Sequence, residues 1–214
     1  MTGQKNMTNF NNNNTAIVIT DPQNEFLKPV GKGFGLTKDI LDKYQTIENL
    51  VTLVREATKK GYKVFISAHF FYPHDHNWQF GGAGEQMMLS EGMFARKSQF
   101  EPIEAGSGAD FIDELKPFLD DIIITSPHKI FGPESNDLYL QLRKNGINKV
   151  IMAGMNANLC VESHTRALVE NGFELFVAND AIGAPGQAAY DAATTNLGYV
   201  TSGVKPTADL ISEL

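Results

Sequence analysis

The strongest constraint on this chain is a regular alternation between short β-branched runs and longer stretches with helical spacing. Residues 16–20 form an unbroken run of this kind, which is typical of a strand buried on both faces. Four more runs and a candidate for a sixth strand follow along the chain: 64–66, 122–124, 150–152, 175–177 and, for the sixth, 199–201. Alternating strands and helices build a mostly parallel sheet with helices on both faces, so the pattern predicts an α/β fold.

Helical patterns fill most of the segments between these runs. Apolar residues recur at helical spacing from Ile40 to Val54, with Thr37 as the predicted N-cap and Gly61 as the predicted stop. Three further helices are predicted over residues 133–146, 160–171 and 188–197. Residues 69–108 are rich in glycine and aromatic side chains and have no clear period.

Length and composition restrict the class of protein further. The 214 residues suffice for one α/β domain with a sizeable core but not for two ordinary domains. The formal net charge of -7 comes without a basic stripe, which argues against a nucleic-acid surface. No apolar run approaches the ~20 residues of a membrane span, and the first 14 residues lack the apolar middle of a signal peptide.

The cysteine count and the N-terminal composition complete this outline. A single cysteine excludes an internal disulfide and any multi-cysteine metal site. A lone thiol also suits a reducing compartment, so we expect a cytoplasmic protein. Residues 1–14 are polar and of low complexity, and we predict that they form a loose tail ahead of one domain over residues 15–214.

Ligands of parallel α/β sheets bind beyond the carboxyl ends of the strands. Four polar residues follow predicted strands at this edge: Asp21, His69, Lys129 and Cys160. Two of them also have ordinary structural explanations. An aspartate before a proline, such as Asp21, is a common turn or capping residue, and a loop lysine such as Lys129 is exposed by default.

Cys160 is the most informative of the four because it stands where the helix after the fourth strand begins. Free amides at a helix N-terminus stabilise anions, so its thiol is expected to ionise more readily than usual. The alternative is a buried small hydrophobic residue, the commoner fate of a lone cysteine. Together, Asp21, Lys129 and Cys160 could carry out nucleophilic catalysis. The carboxylate would take the thiol proton, and the ammonium would keep the carboxylate charged. The thiolate would then attack a carbonyl.

Three blocks of the sequence resemble the isochorismatase-like cysteine hydrolases, the superfamily that includes nicotinamidases and other small-amide hydrolases. The blocks are residues 16–26, Lys129 after the third strand, and residues 150–163. The similarity extends to residues 179–181, so it covers nearly all of the chain outside the tail.

The resemblance implies a three-layer α/β/α sandwich with a six-stranded, mostly parallel sheet, assembled into homo-oligomers. It also implies a catalytic triad of Asp21, Lys129 and Cys160. The implied oxyanion hole consists of the backbone N–H groups of Asn156 and Cys160, next to a cis peptide between Met155 and Asn156. Members that hydrolyse isochorismate itself lack the cysteine, so the resemblance indicates that Cys160 serves hydrolysis of a C–N bond.

The aromatic loop after the second strand contains a cluster of metal-ligand residue types: His69, His74, Asp75 and His76. In nicotinamidases this region supplies a metal-binding aspartate and histidines, whereas here His69 and Phe71 stand at positions where those ligands are expected. We therefore expect no metal and no other cofactor. His69, Trp78 and Phe131 are the candidate substrate contacts.

These observations predict a cysteine-dependent hydrolase that cleaves a small amide-type substrate through a thioester. Two alternatives stay open: hydrolysis of an ester or ureide on the same scaffold, and a catalytically silent homologue that serves as an oligomeric binding protein. The expected partner is a small molecule rather than a nucleic acid or a membrane. Its identity depends on the geometry of the loops over residues 69–108, which the sequence does not define.

Overall fold

The centre of the protein is one parallel sheet of six strands, seen in a computed structural model that describes residues 10–214. The strands are β1 (Thr15–Thr20), β2 (Lys63–Ser67), β3 (Ile122–Ile124), β4 (Lys149–Gly154), β5 (Glu174–Ile182) and β6 (Gly203–Lys205). Their order across the sheet is β3-β2-β1-β4-β5-β6, and every neighbouring pair is parallel. The predicted six-stranded α/β architecture is confirmed.

The central strand β1 explains why the sheet needs helices on both faces. Ile17 and Ile19 enter one apolar cluster, while Ala16 and Val18 enter a second cluster on the opposite face. All four side chains are completely buried. Successive residues of a strand point to opposite faces, so an unbroken apolar run is stable only when both faces are covered.

The helices form the two outer layers. They are α1 (Asn24–Leu27), α2 (Phe34–Tyr44), α3 (Thr46–Lys59), α4 (Ala83–Glu91), α5 (Leu138–Lys144), α6 (Glu162–Glu170), α7 (Gln187–Val200) and α8 (Thr207–Glu213). Buried residues of α3, α4 and α8 join the cluster that contains Ile17, and those of α5, α6 and α7 join the cluster that contains Val18. None of the described helices has both the length and the apolar content needed to cross a bilayer.

The helix predicted around residues 40–54 is in fact two helices. Gln45 adopts a left-handed backbone conformation (φ 52°) that separates α2 from α3. Thr37, the predicted N-cap, lies inside α2, where its hydroxyl donates to the carbonyl oxygen of Phe26 at 2.7 Å. The periodicity continues across the break, which is why the sequence pattern did not reveal it.

Two predicted elements have different bounds, and one helix was not predicted. The sixth strand is Gly203–Lys205 and not 199–201, because α7 continues to Val200. Pro133 begins only a single 3₁₀ turn, and the helix itself starts at Leu138. The segment without a clear period contains the helix α4.

The predicted tail differs over its last five residues, while residues 1–9 lie outside the described part. Phe10 is buried and packs edge-to-face on Phe176, with ring centroids 5.0 Å apart. Its carbonyl oxygen accepts a hydrogen bond from the Tyr62 hydroxyl at 3.2 Å. The carbonyl oxygen of Asn14 also accepts hydrogen bonds from the N–H groups of Asn148 and Lys149, so both ends of residues 10–14 contact the domain.

Gly154, the last residue of β4, permits the closest backbone contact at the functional edge of the sheet. Its φ of 111° is unfavourable for other residues, and a Cβ there would lie 2.0 Å from the carbonyl oxygen of Thr20. Only glycine can therefore keep the ends of β1 and β4 in contact.

We predict that Gly154→Ala lowers the free energy of unfolding by at least about 2 kcal/mol, because it adds both backbone strain and a clash. Gly198→Ala is the matched control, since Gly198 lies in α7 with open space around it. It should raise stability by up to about 1 kcal/mol through better helix propensity. Urea unfolding of both variants measures the difference, and equal stabilities would contradict the prediction.

Candidate active site

Four buried side chains converge at the carboxyl edge of the sheet: Asp21, His69, His128 and Cys160. One oxygen, nitrogen or sulfur atom of each lies within 4.8 Å of the corresponding atom of every other. Asp21 and both histidines are fully buried, and Cys160 is 3 % exposed. The sequence predicted three members of this cluster and missed His128.

The ends of four neighbouring strands place these side chains. Asp21 follows β1 directly, and its backbone N–H donates to the carbonyl oxygen of Ser67 at the end of β2 (3.1 Å). His69 and His128 follow β2 and β3 and form an isolated parallel bridge with each other. Cys160 lies in a π-helical turn (Ala157–Val161) between β4 and α6. Adjacent parallel strands thus deliver the four residues to one point.

A short hydrogen bond joins Asp21 and His128. Nε2 of His128 donates to Oδ1 of Asp21 at 2.7 Å, and neither side chain is exposed to solvent. The second carboxylate oxygen, Oδ2, has no hydrogen-bond partner among the described residues. The histidine therefore fixes the orientation of the carboxylate and leaves one oxygen available to the cysteine.

Lys129 does not make the contact with Asp21 that the triad prediction requires. Its ammonium donates to Oδ2 of Asp75 at 2.5 Å and to the carbonyl oxygen of Phe70 at 2.9 Å. It also lies 4.0 Å from the ring centroid of Tyr72. The side chain of His128 therefore enters the site, whereas that of Lys129 turns away from it towards the aromatic loop.

The ion pair with Lys129 also affects the cluster of metal-ligand residue types in the aromatic loop, because it engages Asp75. The Asp75 carboxylate is buried and is neutralised by the lysine. His74 and His76 are exposed, and Nε2 of His74 lies 3.3 Å from Oδ1 of Asp75. Of this loop cluster, only His69 reaches the group of four.

His69 is held as a neutral ring. Its Nε2 donates to the carbonyl oxygen of Lys129 at 3.1 Å, and its ring stacks on Phe94 with centroids 4.7 Å apart. Burial, reinforced by the neighbouring His128, lowers the pKa of His69 well below its usual value. Nδ1 has no partner among the described residues, so it is a free acceptor in the site.

His164 supports the cluster from the first turn of α6. Its Nδ1 donates to the carbonyl oxygen of Cys160 at 2.8 Å, and its Nε2 accepts from the Ser67 hydroxyl at 2.8 Å. Its ring packs edge-on against His128, with centroids 4.9 Å apart. Burial lowers the pKa of His164 to about 3, so it stays neutral. It joins the end of β2 to the cysteine turn.

The environment of Cys160 opposes ionisation, contrary to the expectation from its place at a helix start. Burial comes first, followed by the nearby negative charge of Asp21, and together they raise the pKa of the thiol well above 9.0. The backbone N–H groups of Asn156 and Cys160 act in the opposite direction but are the weaker effect. The resting thiol therefore keeps its proton beside the carboxylate.

The turn before the cysteine contains a cis peptide between Met155 and Asn156, as the resemblance implied. The backbone N–H groups of Asn156 and Cys160 both act to lower the pKa of the Cys160 thiol. The Asn156 side chain does not cap the following helix, and its buried Oδ1 has no partner within the described chain.

The other two predicted substrate contacts touch residues that surround the cluster. The Trp78 ring packs edge-on against Phe71 with centroids 6.1 Å apart, and Phe71 contacts the His69 ring at 4.6 Å. The carbonyl oxygen of Phe131 accepts a hydrogen bond from Nδ1 of His164 at 3.0 Å. Contact of Trp78 or Phe131 with a substrate stays a prediction.

Asp21→Asn tests whether the carboxylate of Asp21 raises the pKa of the Cys160 thiol. Removing the carboxylate charge lowers the pKa of the Cys160 thiol, and each unit of decrease gives about tenfold more thiolate at mildly alkaline pH. We therefore expect iodoacetamide to alkylate the variant faster than the wild type.

The wild-type alkylation rate should keep rising above pH 9.0, where an unperturbed thiol would level off. Asp42→Asn is the control, because the Asp42 side chain is 65% exposed and it lies in α2. It should leave the rate unchanged. Slower alkylation of Asp21→Asn would show that the carboxylate promotes ionisation of the resting thiol.

Sequence comparison provides the family context of this site. The isochorismatase domain family matches residues 15–209. Ureidoacrylate amidohydrolase RutB of Acinetobacter baylyi is 31% identical over 163 residues, which cover 71% of this chain and 63% of RutB. The matched part thus spans less than two thirds of RutB. The uncharacterized isochorismatase family protein YwoC of Bacillus subtilis is 28% identical over 187 residues, covering 83% of this chain and 82% of YwoC.

Solved structures share the fold at low sequence identity. A cysteine hydrolase from Pseudomonas syringae pv. phaseolicola has a TM-score of 0.75 at 21% identity, covering 100% of this chain and 98% of that protein. N-carbamoylsarcosine amidase from Thermoplasma acidophilum has a TM-score of 0.66 at 20% identity, covering 91% and 96% of the two chains. These similarities establish the architecture that carries the four-residue cluster.

Proposed function

The chain belongs to the isochorismatase family and is a hydrolase, and we propose that it cleaves a C–N bond of a small amide-type substrate through a thioester on Cys160. The observation that carries the proposal is the buried pair of Cys160 and Asp21, in which one carboxylate oxygen is free of other partners in the described chain. A thiol beside a fixed carboxylate can act as a nucleophile once the carboxylate takes its proton.

The first chemical step is transfer of the thiol proton to Oδ2 of Asp21. His128 already occupies Oδ1, so the free oxygen is the acceptor. The sulfur then attacks the substrate carbonyl carbon, and the carbonyl oxygen gains negative charge. In this mechanism the N–H groups of Asn156 and Cys160, which both act to lower the thiol pKa, stabilise that oxygen.

The second half of the reaction returns the proton. Protonated Asp21 donates to the leaving nitrogen as the C–N bond breaks, which leaves an acyl group on the sulfur as a thioester. Asp21 then accepts a proton from water, the resulting hydroxide attacks the thioester and the carboxylic acid departs. The thiolate regains its proton from Asp21, so the cycle needs no group beyond this pair and a water molecule.

We assign the orienting role to His128 rather than to Lys129. His128 contacts Asp21 directly, whereas the Lys129 ammonium is engaged with Asp75 and Phe70. Lys129 acts instead as a positioning residue, because its carbonyl oxygen holds His69 and its ammonium holds the aromatic loop. The triad of this chain is then Asp21, His128 and Cys160.

Two similar proteins support an amide-type substrate. RutB is named as an amidohydrolase of ureidoacrylate, and the Thermoplasma protein as an amidase of N-carbamoylsarcosine. Both names describe cleavage beside nitrogen, which agrees with a thiol nucleophile. The cytoplasmic location and the homo-oligomer expected from the sequence stay predictions.

We predict that Cys160→Ala abolishes hydrolysis, with a loss of about 10³-fold or more, while circular dichroism shows an intact fold. Cys160→Ser should be nearly as inactive, because a carboxylate is a poor base for an alcohol. Ammonia release from a library of small amides and ureides measures the activity. Wild-type rates in the alanine variant would exclude the thioester, and an inactive wild-type protein would favour the binding homologue.

We predict that His128→Ala lowers kcat by about 10²-fold or more, because Asp21 loses its fixed orientation. Lys129→Met keeps the backbone carbonyl and should cost less than about tenfold. His128→Gln keeps a side-chain N–H donor and should recover part of the loss. The three variants are compared on the best substrate of the library, and a larger loss in Lys129→Met would restore the lysine to the triad.

A further inference from the structure

We propose that Asp21, His69, His128 and Cys160 also form a four-ligand site for a soft divalent cation such as Zn²⁺, and that its binding switches the nucleophile off. The binding site is inferred from geometry alone, while the inhibition rests on the proposed function. The residue types are one carboxylate, two imidazoles and one thiol, all of which bind zinc in proteins.

The separation of the donor atoms suits tetrahedral coordination after a small contraction. The four atoms lie within 4.8 Å of one another. Zinc bonds of about 2.0 to 2.3 Å place tetrahedral ligands about 3.3 to 3.7 Å apart. Atoms at the full 4.8 Å separation would therefore have to approach each other by about 1 Å, which rotation about side-chain bonds can supply.

Three buried atoms of the cluster lack partners in the described chain. They are Oδ2 of Asp21, Nδ1 of His69 and Nδ1 of His128. A buried polar atom without a partner is unfavourable, and a cation bound by the cluster would supply the missing interaction. The other nitrogen of His69 already donates to a backbone carbonyl, the arrangement that orients zinc-binding histidines.

Charge balance also favours a divalent cation. Binding forms the bond between sulfur and metal, and the thiol proton leaves to solvent. The carboxylate and the thiolate then contribute two negative charges against the two positive charges of the metal, with both imidazoles neutral. The site has no net charge, which a fully buried position requires.

The loop histidines offer a poorer alternative. Asp75 is already neutralised by Lys129, and the His74 side chain is 63% exposed. A metal at the cluster of four would occupy the proton acceptor and the nucleophile at the same time. Hydrolysis would stop until a chelator removed the metal, so the proposed activity needs no metal and is inhibited by one.

The test is a titration of the intact protein with Co²⁺ alone, followed by absorbance. Cobalt bound to a thiolate in tetrahedral geometry gives a near-ultraviolet charge-transfer band and strong visible bands. We expect both to saturate at one equivalent and to disappear when Zn²⁺ is added. Absence of the charge-transfer band, or weak visible bands typical of octahedral cobalt, would overturn the proposal.

Variants identify the ligands. Cys160→Ser should remove the charge-transfer band, and His69→Gln should weaken cobalt binding by more than about tenfold. His76→Gln, an exposed histidine in the same loop, is the matched control and should change neither. Unchanged binding in His69→Gln, or an equal loss in His76→Gln, would place the cobalt elsewhere.

Experiments can refute the proposed hydrolysis and the proposed metal site independently of each other. The spectrum requires no substrate, so cobalt binding by a protein that hydrolyses no amide would refute only the proposed function. Activity that survives saturating zinc, in a protein with the full cobalt spectrum, would refute only the inhibition. Zinc should otherwise lower hydrolysis by at least about tenfold, and a chelator should restore it.

Discussion

The close contact between the ends of β1 and β4 is the constraint on which the site depends. Thr20 pairs with Gly154, the N–H of Met155 donates to the Thr20 carbonyl at 3.0 Å, and the Thr20 hydroxyl donates to the Met155 carbonyl at 3.0 Å. Asp21 is the next residue after Thr20, and Cys160 lies one turn beyond Met155. The backbone contact therefore sets the position of the carboxylate relative to the thiol before any side chain interacts.

Burial gives this arrangement its electrostatic character. Asp21 is completely enclosed, and neutral imidazoles at His69 and His164 lie around it and its partner His128. With so little solvent to screen it, the carboxylate acts strongly on the nearby thiol. The same burial makes each hydrogen bond to the carboxylate oxygens important, because an unsatisfied charge there would destabilise the fold.

The sequence predicted the parts of the protein whose signal is local. The pattern identifies β1 because that strand must be apolar on both faces. It identifies Asp21 because it follows that run directly, and Cys160 because it stands where the next predicted helix begins. Two adjacent residues, His128 and Lys129, both follow β3, and residue type alone favours the lysine. The direction of each side chain depends on the pairing of His69 with His128 beyond the sheet, which no local pattern encodes. Phe10 was missed for the same reason, since its contact with Phe176 is distant in sequence.

His128 and Lys129 have separate roles: His128 hydrogen-bonds to Asp21, and Lys129 forms an ion pair with Asp75 in the aromatic loop. The ammonium of Lys129 is not among the groups that shift the pKa of the Cys160 thiol. The resting thiol keeps its proton, and thiols in this form react slowly with electrophiles and oxidants. Under the proposed mechanism, the nucleophile then forms only when a carbonyl is in place to accept the sulfur and the two N–H groups can stabilise the new oxyanion. Under this mechanism the pair of Asp21 and Cys160 therefore reacts slowly until a substrate carbonyl lies beside the sulfur.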